Sequence, residues 1–318
     1  MPGLLKTHYH MYDDFHYTIL KRRLGSKENR AMMKNPRLVK PSVEYMGSYI
    51  AACREYAEAG LEVYDDFHGE NPTPELIKNL LLRYENESRG IGLPEGWVPS
   101  STFWLVDEDE YIGAGNIRYA LTEQLKKFGG HIGYEIRPSK WEHGYGTLQL
   151  KLLLSESAKL GIRNALVTCS AENVASARVI EKNGGLRIDC ISNIVDGHER
   201  MTCRYRIDTG YMDGDLYSIS QPWYHGSNAK YDTLLPGSTI TQWKELAEAF
   251  SHKPTSLSYG DDKVIRHNGI QPGLLYIIDE PVVPGEDIYM HPRTTMEPGH
   301  EWLTVRSFKI KRIVFMAN

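Results

Sequence analysis

The residues with the clearest chemical potential form two glycine-rich stretches that lie close together in the chain. Residues 130–138 read GHIGYEIRP, and residues 144–147 read GYGT. This order predicts a buried strand that ends at a proline, crosses a glycine loop and continues into a helix. Such a loop directs several main-chain N–H groups and a helix N-terminus towards one point. Because that arrangement binds phosphate or pyrophosphate without a basic side chain, the sequence predicts a site for a phosphate-bearing ligand.

The elements around this loop alternate between helical and strand periodicity. Ser42 is a candidate N-cap for a helix over 42–58, and Pro74 opens a second helix. The expected apolar face of the first helix holds Val43, Met46, Ile50, Cys53 and Ala57. Strands are predicted at 102–106, 111–119, 130–137, 165–169, 186–195 and 200–207, and further helices after Gly146 and over 173–183. This order of elements indicates an α+β domain.

Composition shifts and turn signals divide the chain into four parts. Residues 1–37 form a polar, aromatic N-terminal extension, and residues 38–208 form the α+β domain. Residues 209–215 are rich in Gly and Asp and are predicted to be a linker. Residues 216–318 are expected to form a smaller, strand-rich α+β domain.

Charge and hydropathy exclude several classes of partner. The 318 residues carry a formal net charge of −4 with a sequence pI near 6.3, which gives no electrostatic footprint for nucleic acid. No apolar run approaches the roughly 18 residues that a membrane span needs. The N-terminus lacks the apolar core of a signal peptide, so a cytoplasmic location without membrane association is predicted.

The four cysteines are far apart in the sequence. Cys53, Cys169, Cys190 and Cys203 form no C-x-x-C pair, so structural zinc is not expected. We predict free thiols, as is usual for a cytosolic protein, and no metal site.

Two motifs in order give the α+β domain a recognisable identity. Residues 38–207 resemble the GNAT N-acetyltransferases, whose signature is a strand with a splayed end, a Q/R-x-x-G-x-G/A loop and a helix. Residues 141–146 (WEHGYG) match both glycine positions, whereas Trp141 stands where the family has Gln or Arg. Residues 168–184 are similar to the second half of the family. The resemblance implies a GNAT-like mixed sheet flanked by helices.

The resemblance also implies acetyl-CoA as the co-substrate, bound where two strands splay apart. Main-chain amides of the glycine loop would meet the pyrophosphate, and main-chain groups near the end of the preceding strand would polarise the thioester carbonyl. An asparagine after the next strand would face the pantetheine arm. The implied cofactor-binding residues are Ile136, Arg137, Gly144, Tyr145, Gly146, Thr147, Asn173 and Ser176.

Acid–base chemistry is expected on the strand before the loop. Carboxylates beside the thioester act as the base in some members of the family, so Glu135 is the candidate base; an ordinary salt bridge or a contact to a cationic substrate is weighed equally. His131 lies on the same face by period two and is the reserve candidate, although a structural histidine is an equal alternative. The family's usual tyrosine acid corresponds to Ile180, which leaves water, Tyr134 and Ser176 as open sources of the proton.

The second domain begins with a short histidine motif. Residues 224–227 (YHGS) resemble the first motif of small ADP-ribosyltransferases of the rifampin-modifying type, in which a histidine contacts the NAD ribose. The resemblance implies a possible NAD site at His225, Gly226 and Glu301, with Tyr259 as one option for the family's middle aromatic. A degenerate domain that shapes the acceptor pocket or a dimer interface is the alternative.

These patterns together predict an acetyl-CoA-dependent N-acetyltransferase. The acceptor is expected to be a primary amine of a small molecule or a peptide, and a homodimer is left open. Two alternatives remain: ADP-ribosyl transfer from NAD in the second domain, and a non-catalytic sensor that binds acetyl-CoA without turnover.

Overall fold

The computed structural model describes residues 33–61, 72–195 and 198–313, so most of the predicted N-terminal extension lies outside the described residues. The described chain divides into two compact units. The first contains the residues up to Ala158 together with Asn164–Gly210, and the second contains Lys159–Arg163 and the residues from Tyr211 onward.

The described residues of the first unit form two antiparallel sheets and five α-helices. One sheet has the order β1-β2-β3-β4, and the other has the order β5-β7-β6. The strands are β1 (Pro36–Val39), β2 (Ser100–Asp107), β3 (Glu110–Arg118), β4 (Ile132–Tyr134), β5 (Asn164–Ser170), β6 (Leu186–Val195) and β7 (His198–Asp208). The helices are α1 (Met46–Glu58), α2 (Pro74–Ser88), α3 (Glu123–Lys127), α4 (Tyr145–Lys159) and α5 (Val174–Lys182).

Helices α1 and α2 pack on one face of the four-stranded sheet. Tyr49 of α1 stacks on Trp104 of β2 with ring centroids 4.7 Å apart, and Tyr111 of β3 meets Tyr49 edge-on. The buried face of α1 consists of Met46, Tyr49, Ala52 and Tyr56. The predicted face was therefore wrong in part: Val43 is 69% exposed and lies in a short 3-10 turn before α1. The error arose because the tyrosines, whose rings supply most of the apolar area, were left out of the pattern.

The two sheets approach each other where the segment before β4 meets β5, and there the Gly129 N–H donates to Thr168 Oγ1 at 3.0 Å. There the His131 N–H donates to Leu166 O at 2.7 Å, and the Leu166 N–H donates to His131 Nδ1 at 2.9 Å. Beyond this point β4 pairs only with β3, and β5 pairs only with β7. The strands therefore diverge and leave an opening between the two sheets.

The starts of α4 and α5 border this opening. Asn173 caps α5 by accepting a hydrogen bond from the Ser176 N–H at 2.9 Å. At the other end of α5, Asn183 Nδ2 donates to Thr147 O in the first turn of α4 at 3.1 Å. The end of α5 is thus tied to the beginning of α4.

The cysteines differ from the prediction of free thiols. Cys190 on β6 and Cys203 on β7 face each other in register and form a disulfide. Cys53 and Cys169 are outside any disulfide. The prediction did not use the register of the β6–β7 hairpin, which sets Cys190 opposite Cys203.

The second unit is strand-rich and contains the helix α6 (Lys244–Ser251). Its strands are β8 (Tyr224–Ser227), β9 (Thr233–Leu234), β10 (Thr239–Ile240), β11 (Leu257–Ser258), β12 (Arg266–His267), β13 (Leu274–Ile278), β14 (Ile288–Met290), β15 (Trp302–Thr304) and β16 (Phe308–Ile313). The described sheet of this unit with the most strands has four, in the order β8-β13-β16-β9. Much of the predicted linker belongs to this unit, where Tyr211 stacks on Tyr217 at 4.8 Å. The predicted α+β class is confirmed.

Two features are absent from the part of the chain that the structure describes. No described helix is long and apolar enough to cross a membrane. The described residues also contain no cluster of three or more His, Cys, Asp or Glu side chains that could hold a metal ion.

Candidate active site

A cavity of about 660 Å³ occupies the opening in the first unit. One wall is β4 with the residues that follow it, from Ile132 to Ile136, and the opposite wall is the end of β5 with the start of α5. The glycine loop and the first residues of α4 close one side. The cavity therefore joins the three segments that the sequence motifs single out.

The N-terminus of α4 supplies main-chain donors to the cavity. The Leu148 N–H in the first turn of α4 donates to Gly144 O in the glycine loop at 3.2 Å. The preceding amides of residues 145–147 have no partner within the helix, as is general for a first turn, and all three residues line the cavity. Gly144 has φ +90°, a conformation that favours glycine. This geometry suits a phosphate or pyrophosphate.

Trp141 performs a role that the sequence analysis missed. Its indole N–H donates to Ile136 O at 2.6 Å, so it closes the turn between β4 and the glycine loop. The family's Gln or Arg at this position is polar, and the indole N–H retains one polar function there. The only sequence signal was the departure from the family pattern.

The main chain after β4 leaves one donor directed at the cavity. The Glu135 N–H donates to Ala114 O and the Arg137 N–H to Ile112 O, both at 2.8 Å. Because amides alternate in direction along an extended chain, the Ile136 N–H points away from β3. It has no acceptor within the described residues, so it is available to a ligand carbonyl.

Tyr145 is held in place by a carboxylate. Its hydroxyl donates to Asp107 Oδ2 at 2.6 Å, and burial together with this hydrogen bond raises the pKa of Tyr145. Burial also tends to raise the pKa of Asp107, but hydrogen bonds from Tyr145 and from the main chain of Lys34 and Asn35 outweigh it, so the pKa of Asp107 is lowered. The side chain of Tyr145 thus anchors α4, while its main chain faces the cavity.

Glu135 directly follows β4 and lies close to Tyr111 of β3 and Tyr56 of α1. Its side chain is buried with 6% exposure, and the Tyr111 hydroxyl donates to Glu135 Oε1 at 3.2 Å. Burial, followed by the charge of Glu135, raises the pKa of both Tyr111 and Tyr56. Both hydroxyls therefore stay protonated, and the Tyr56 hydroxyl has no hydrogen-bond partner within the described residues. Glu135 also borders the cavity, so it is placed between the cavity and the α1 face.

The structure places the two other polar candidates of this strand away from the cavity. His131 is not among the lining residues, and its Nδ1 accepts the Leu166 N–H. The guanidinium of Arg137 bonds Glu55 and lies 3.3 Å from Glu110 Oε1. Arg137 therefore binds the end of β4 to α1 and β3, and neither side chain is placed to contact a ligand in the cavity.

Tyr134 and Ser176 form a hydroxyl pair on the cavity wall. Tyr134 Oη and Ser176 Oγ are 2.9 Å apart. Burial raises the pKa of Tyr134, although the hydrogen bond with Ser176 opposes this shift. Ile180, at the position of the family's usual acid, is fully buried and cannot donate a proton. The pair therefore offers protonated hydroxyls on the cavity wall.

Basic side chains at the cavity were missed by the sequence analysis. Lys140, Arg178 and Lys182 all line it. Arg178 and Lys182 are one turn apart on α5, and this i, i+4 spacing is visible in the sequence. Such cations can pair with the phosphates of a nucleotide-like ligand.

The proposed NAD residues of the second unit have structural partners. His225 Nδ1 contacts Thr239 O at 2.8 Å, and burial lowers the pKa of His225. A Cβ on Gly226 would lie 1.6 Å from Ala247 O, so glycine is required there for strand–helix packing. The Glu301 carboxylate accepts a hydrogen bond from Thr294, and no recorded contact among the described residues joins it to His225.

The opened sheet, the glycine loop and the helix N-terminus define the first unit as an acetyltransferase domain. Residues 54–185 match the family model of the acetyltransferase (GNAT) domain. The match identifies a GNAT acetyltransferase domain within the chain and supports an N-acetyltransferase. The match ends at residue 185 and gives no support to NAD chemistry in the second unit.

Solved structures that resemble the chain are also acetyltransferases. One from Salmonella typhimurium modifies the N-terminal serine of a 50S ribosomal subunit protein; it is 17% identical, covers 55% of this chain and 95% of its own, and gives a TM-score of 0.41. A microcin self-immunity acetyltransferase in complex with acetyl-CoA and AMP is 14% identical, with 55% and 92% coverage and a TM-score of 0.41. A putative acetyltransferase from Salmonella typhimurium with its cofactor acetyl-CoA is 12% identical, with 56% and 96% coverage and a TM-score of 0.39. These similarities are too low to transfer a substrate, and no curated protein matches the chain.

Proposed function

We propose that the protein transfers the acetyl group of acetyl-CoA to a primary amine of a small molecule or a peptide. The observation that carries the proposal is the cavity between β4 and β5, which combines an unpaired main-chain donor with an open helix N-terminus. The Ile136 N–H has no acceptor in the described chain, and the first-turn amides of α4 border the same cavity. A thioester carbonyl and a pyrophosphate need these two kinds of donor.

The binding roles follow from this placement. The main chain of Gly144, Tyr145, Gly146 and Thr147 holds the pyrophosphate, and the Ile136 N–H holds the thioester oxygen. Asn173 and Ser176 border the pantetheine arm, although the Asn173 side-chain oxygen is already engaged as a helix cap. Arg137 acts on binding only indirectly, because its guanidinium fixes the end of β4 against Glu55 and Glu110.

Glu135 is the favoured base for the attacking amine. An amine must lose a proton to attack the thioester carbon, and a carboxylate can accept it directly or through one water. Glu135 borders the cavity, and Tyr111 fixes one of its oxygens. His131 is less suited, because the Leu166 N–H occupies its Nδ1 and the ring is outside the cavity lining.

The departing CoA sulfur also needs a proton. Tyr134 and Ser176 share a hydrogen bond on the cavity wall, so one hydroxyl can donate to the thiolate while the other stabilises the resulting oxygen. The acetyl group moves from sulfur to nitrogen, and the net proton passes from the amine to the CoA sulfur.

The first test is calorimetric titration of the full chain with acetyl-CoA and, separately, with NAD. We expect saturable acetyl-CoA binding, followed by CoA release when a panel of small amines and peptides is offered. Glu135→Gln should keep acetyl-CoA affinity but lose about 10²- to 10⁴-fold in kcat. Glu123→Gln is the matched control, because Glu123 on α3 has 88% side-chain exposure and should leave kcat unchanged.

Two results would contradict the proposal. Absence of acetyl-CoA binding would remove the role of the cavity, and an unchanged kcat in Glu135→Gln would remove the assigned base. Tight acetyl-CoA binding without CoA release for any amine would instead favour a sensor. NAD binding that fails in His225→Ala would show that the second unit has its own activity.

A further inference from the structure

Three of the four cysteines form one row across the β5-β7-β6 sheet. Cys169 on β5 is in register with Cys203 on β7, and Cys203 is in register with Cys190 on β6. Directly opposed residues of antiparallel strands place their side chains on the same face. We call Cys169, Cys203 and Cys190 the cysteine row. Its middle member, Cys203, is joined to Cys190 by a disulfide.

The alternation of hydrogen-bonded and non-hydrogen-bonded pairs along β5 and β7 indicates how far Cys203 lies from Cys169. The Ala171 N–H donates to Met201 O at 2.9 Å, which marks a hydrogen-bonded pair two residues beyond Cys169 and Cys203. Cys169 and Cys203 are therefore also a hydrogen-bonded pair, with Cα atoms roughly 5.5 Å apart. That separation is within the range that a disulfide spans. Cys203 is consequently flanked by two cysteines at bonding distance, and only one of them is bonded.

Cys169 also belongs to the wall of the acetyl-CoA cavity. It lines the cavity together with Tyr134 and Ser176. Burial raises the pKa of Tyr205, and the charge of Cys169 raises it further. Because Tyr205 is two residues from Cys203 on β7, this coupling agrees with a Cys169 sulfur on the Cys203 face. One cysteine thus faces both the cavity and the disulfide.

We propose that the cysteine row is a thiol–disulfide exchange site in the wall of the cavity. The Cys169 thiolate attacks the Cys203 sulfur, a new Cys169–Cys203 bond forms, and the Cys203–Cys190 bond breaks. The electron pair leaves on the Cys190 sulfur, which takes a proton from water, while the Cys169 proton has gone to solvent. The number of disulfides is unchanged, so the step needs no oxidant. The order of the three strands places Cys203, which carries the attacked sulfur, between the strand of the nucleophile and the strand of the leaving group.

The exchange has a consequence for the cavity that rests on the proposed function. It draws the Cys169 sulfur from the cavity wall towards β7 and frees the Cys190 thiol on the partly exposed strand β6. Bound acetyl-CoA should therefore slow the exchange, and by reciprocity the Cys169–Cys203 form should bind acetyl-CoA less tightly. The disulfide state of the row would then regulate the use of the cavity.

Disulfide mapping of the full chain tests the exchange itself. The protein is held at pH 7 or pH 9, acidified, alkylated with N-ethylmaleimide and digested without reduction for mass spectrometry. We expect both Cys190–Cys203 and Cys169–Cys203 peptides, with faster interconversion at pH 9 because the thiolate is the nucleophile. Acetyl-CoA should slow the appearance of the second peptide.

Cysteine variants test independently whether Cys169 is close enough to Cys203 to form a disulfide. In Cys190→Ser, oxidised glutathione should link Cys169 to Cys203 and abolish alkylation of Cys169. In Cys203→Ser, Cys169 and Cys190 should stay unlinked, since two strand spacings separate them by about 9.6 Å. Cys53→Ser on α1 is the matched control and should leave the exchange unaltered.

Two outcomes would overturn the proposal: a wild-type protein that yields only the Cys190–Cys203 peptide at pH 9, or a Cys190→Ser protein whose Cys169 remains fully alkylated after oxidised glutathione. Calorimetric titration of the same samples with acetyl-CoA separates this proposal from the proposed function. Exchange without acetyl-CoA binding would refute the proposed function alone, and acetyl-CoA binding without exchange would refute the cysteine site alone.

Discussion

Replacing Gly144 by alanine should weaken acetyl-CoA binding through backbone strain rather than through collision. Gly144 has φ +90°, which L residues other than glycine rarely adopt. A Cβ there would lie 3.3 Å from Met33 Cε, the far end of a flexible side chain that can move aside. The cost therefore comes from the dihedral angle and is on the order of 1–3 kcal/mol.

That strain can be relieved in two ways, which two measurements distinguish. If the loop keeps its conformation, the whole cost lowers the stability of the folded protein. If the loop relaxes, the amides of residues 145–147 lose their common direction and the cost appears in binding. A shift of 1–3 kcal/mol in binding corresponds to about a 5- to 150-fold increase in Kd.

The assay is calorimetric titration with acetyl-CoA, combined with thermal unfolding of each variant. Gly96→Ala is the matched control, because Gly96 has φ +80° and no atom within 4 Å of its Cβ position; it should lose stability without losing affinity. Gly146→Ala places its Cβ 3.4 Å from Val179, an ordinary contact, and should bind normally. If Gly144→Ala binds as tightly as wild type while it unfolds as early as Gly96→Ala, the loop has kept its conformation and the prediction of weakened binding is wrong.

Three further predictions address the site and its support. Trp141→Phe removes the donor to Ile136 O and should raise the acetyl-CoA Kd by about 2- to 10-fold, the equivalent of one hydrogen bond; an unchanged Kd in calorimetry would show that the turn does not need this bond. Tyr134→Phe should lower kcat by about 10²-fold at an unchanged acetyl-CoA Kd, and a variant with the wild-type kcat would assign the proton to another donor. Because burial raises the pKa of Tyr134, its ionisation should add no basic limb to the wild-type pH–rate profile. The pKa of Asp107 in the folded protein is below its ordinary value of 3.8, so the ionised carboxylate stabilises the fold above pH 3.8, and this stabilisation is lost as the pH falls through the folded-state pKa. Denaturant unfolding at several pH values should show that the free energy of unfolding falls less steeply with acid in Asp107→Asn than in wild type. An equal fall in both proteins would contradict this prediction.

The loop and the elements around it could be predicted because their signals are local. Pro74 opens α2 and a glycine precedes α4, each through the dihedral angles of one or two residues. Runs of aromatic and β-branched residues located β2 and β3 for the same reason. The cavity between β4 and β5 could be predicted only from the family resemblance, because no local pattern in the sequence indicates that these two strands diverge.

The missed features depend on pairing and contacts between segments and not on a local pattern. Strand β1 forms by pairing with β2 across more than sixty residues, and the Cys190–Cys203 disulfide depends on the register of β6 and β7. Arg137 carries no local sign that its guanidinium turns towards Glu55 on α1. A predicted site residue can therefore be right in its element and still face another part of the protein.

Residues 134–136 form an extended segment in which successive side chains and N–H groups point in alternate directions, and this alternation separates the proposed chemical roles. Tyr134 reaches Ser176 on the α5 side, whereas Glu135 meets Tyr111 on the α1 side, and the next peptide group directs the Ile136 N–H into the opening. Three consecutive residues thereby provide a hydroxyl for the leaving sulfur, a carboxylate for the amine and a donor for the carbonyl oxygen. A helix could not do this, because its N–H groups are used internally and neighbouring side chains diverge by about 100°. A one-residue shift of this segment against β3 would exchange all three directions at once, so the hydrogen bonds that fix its register are as necessary to the proposed reaction as the groups that it presents.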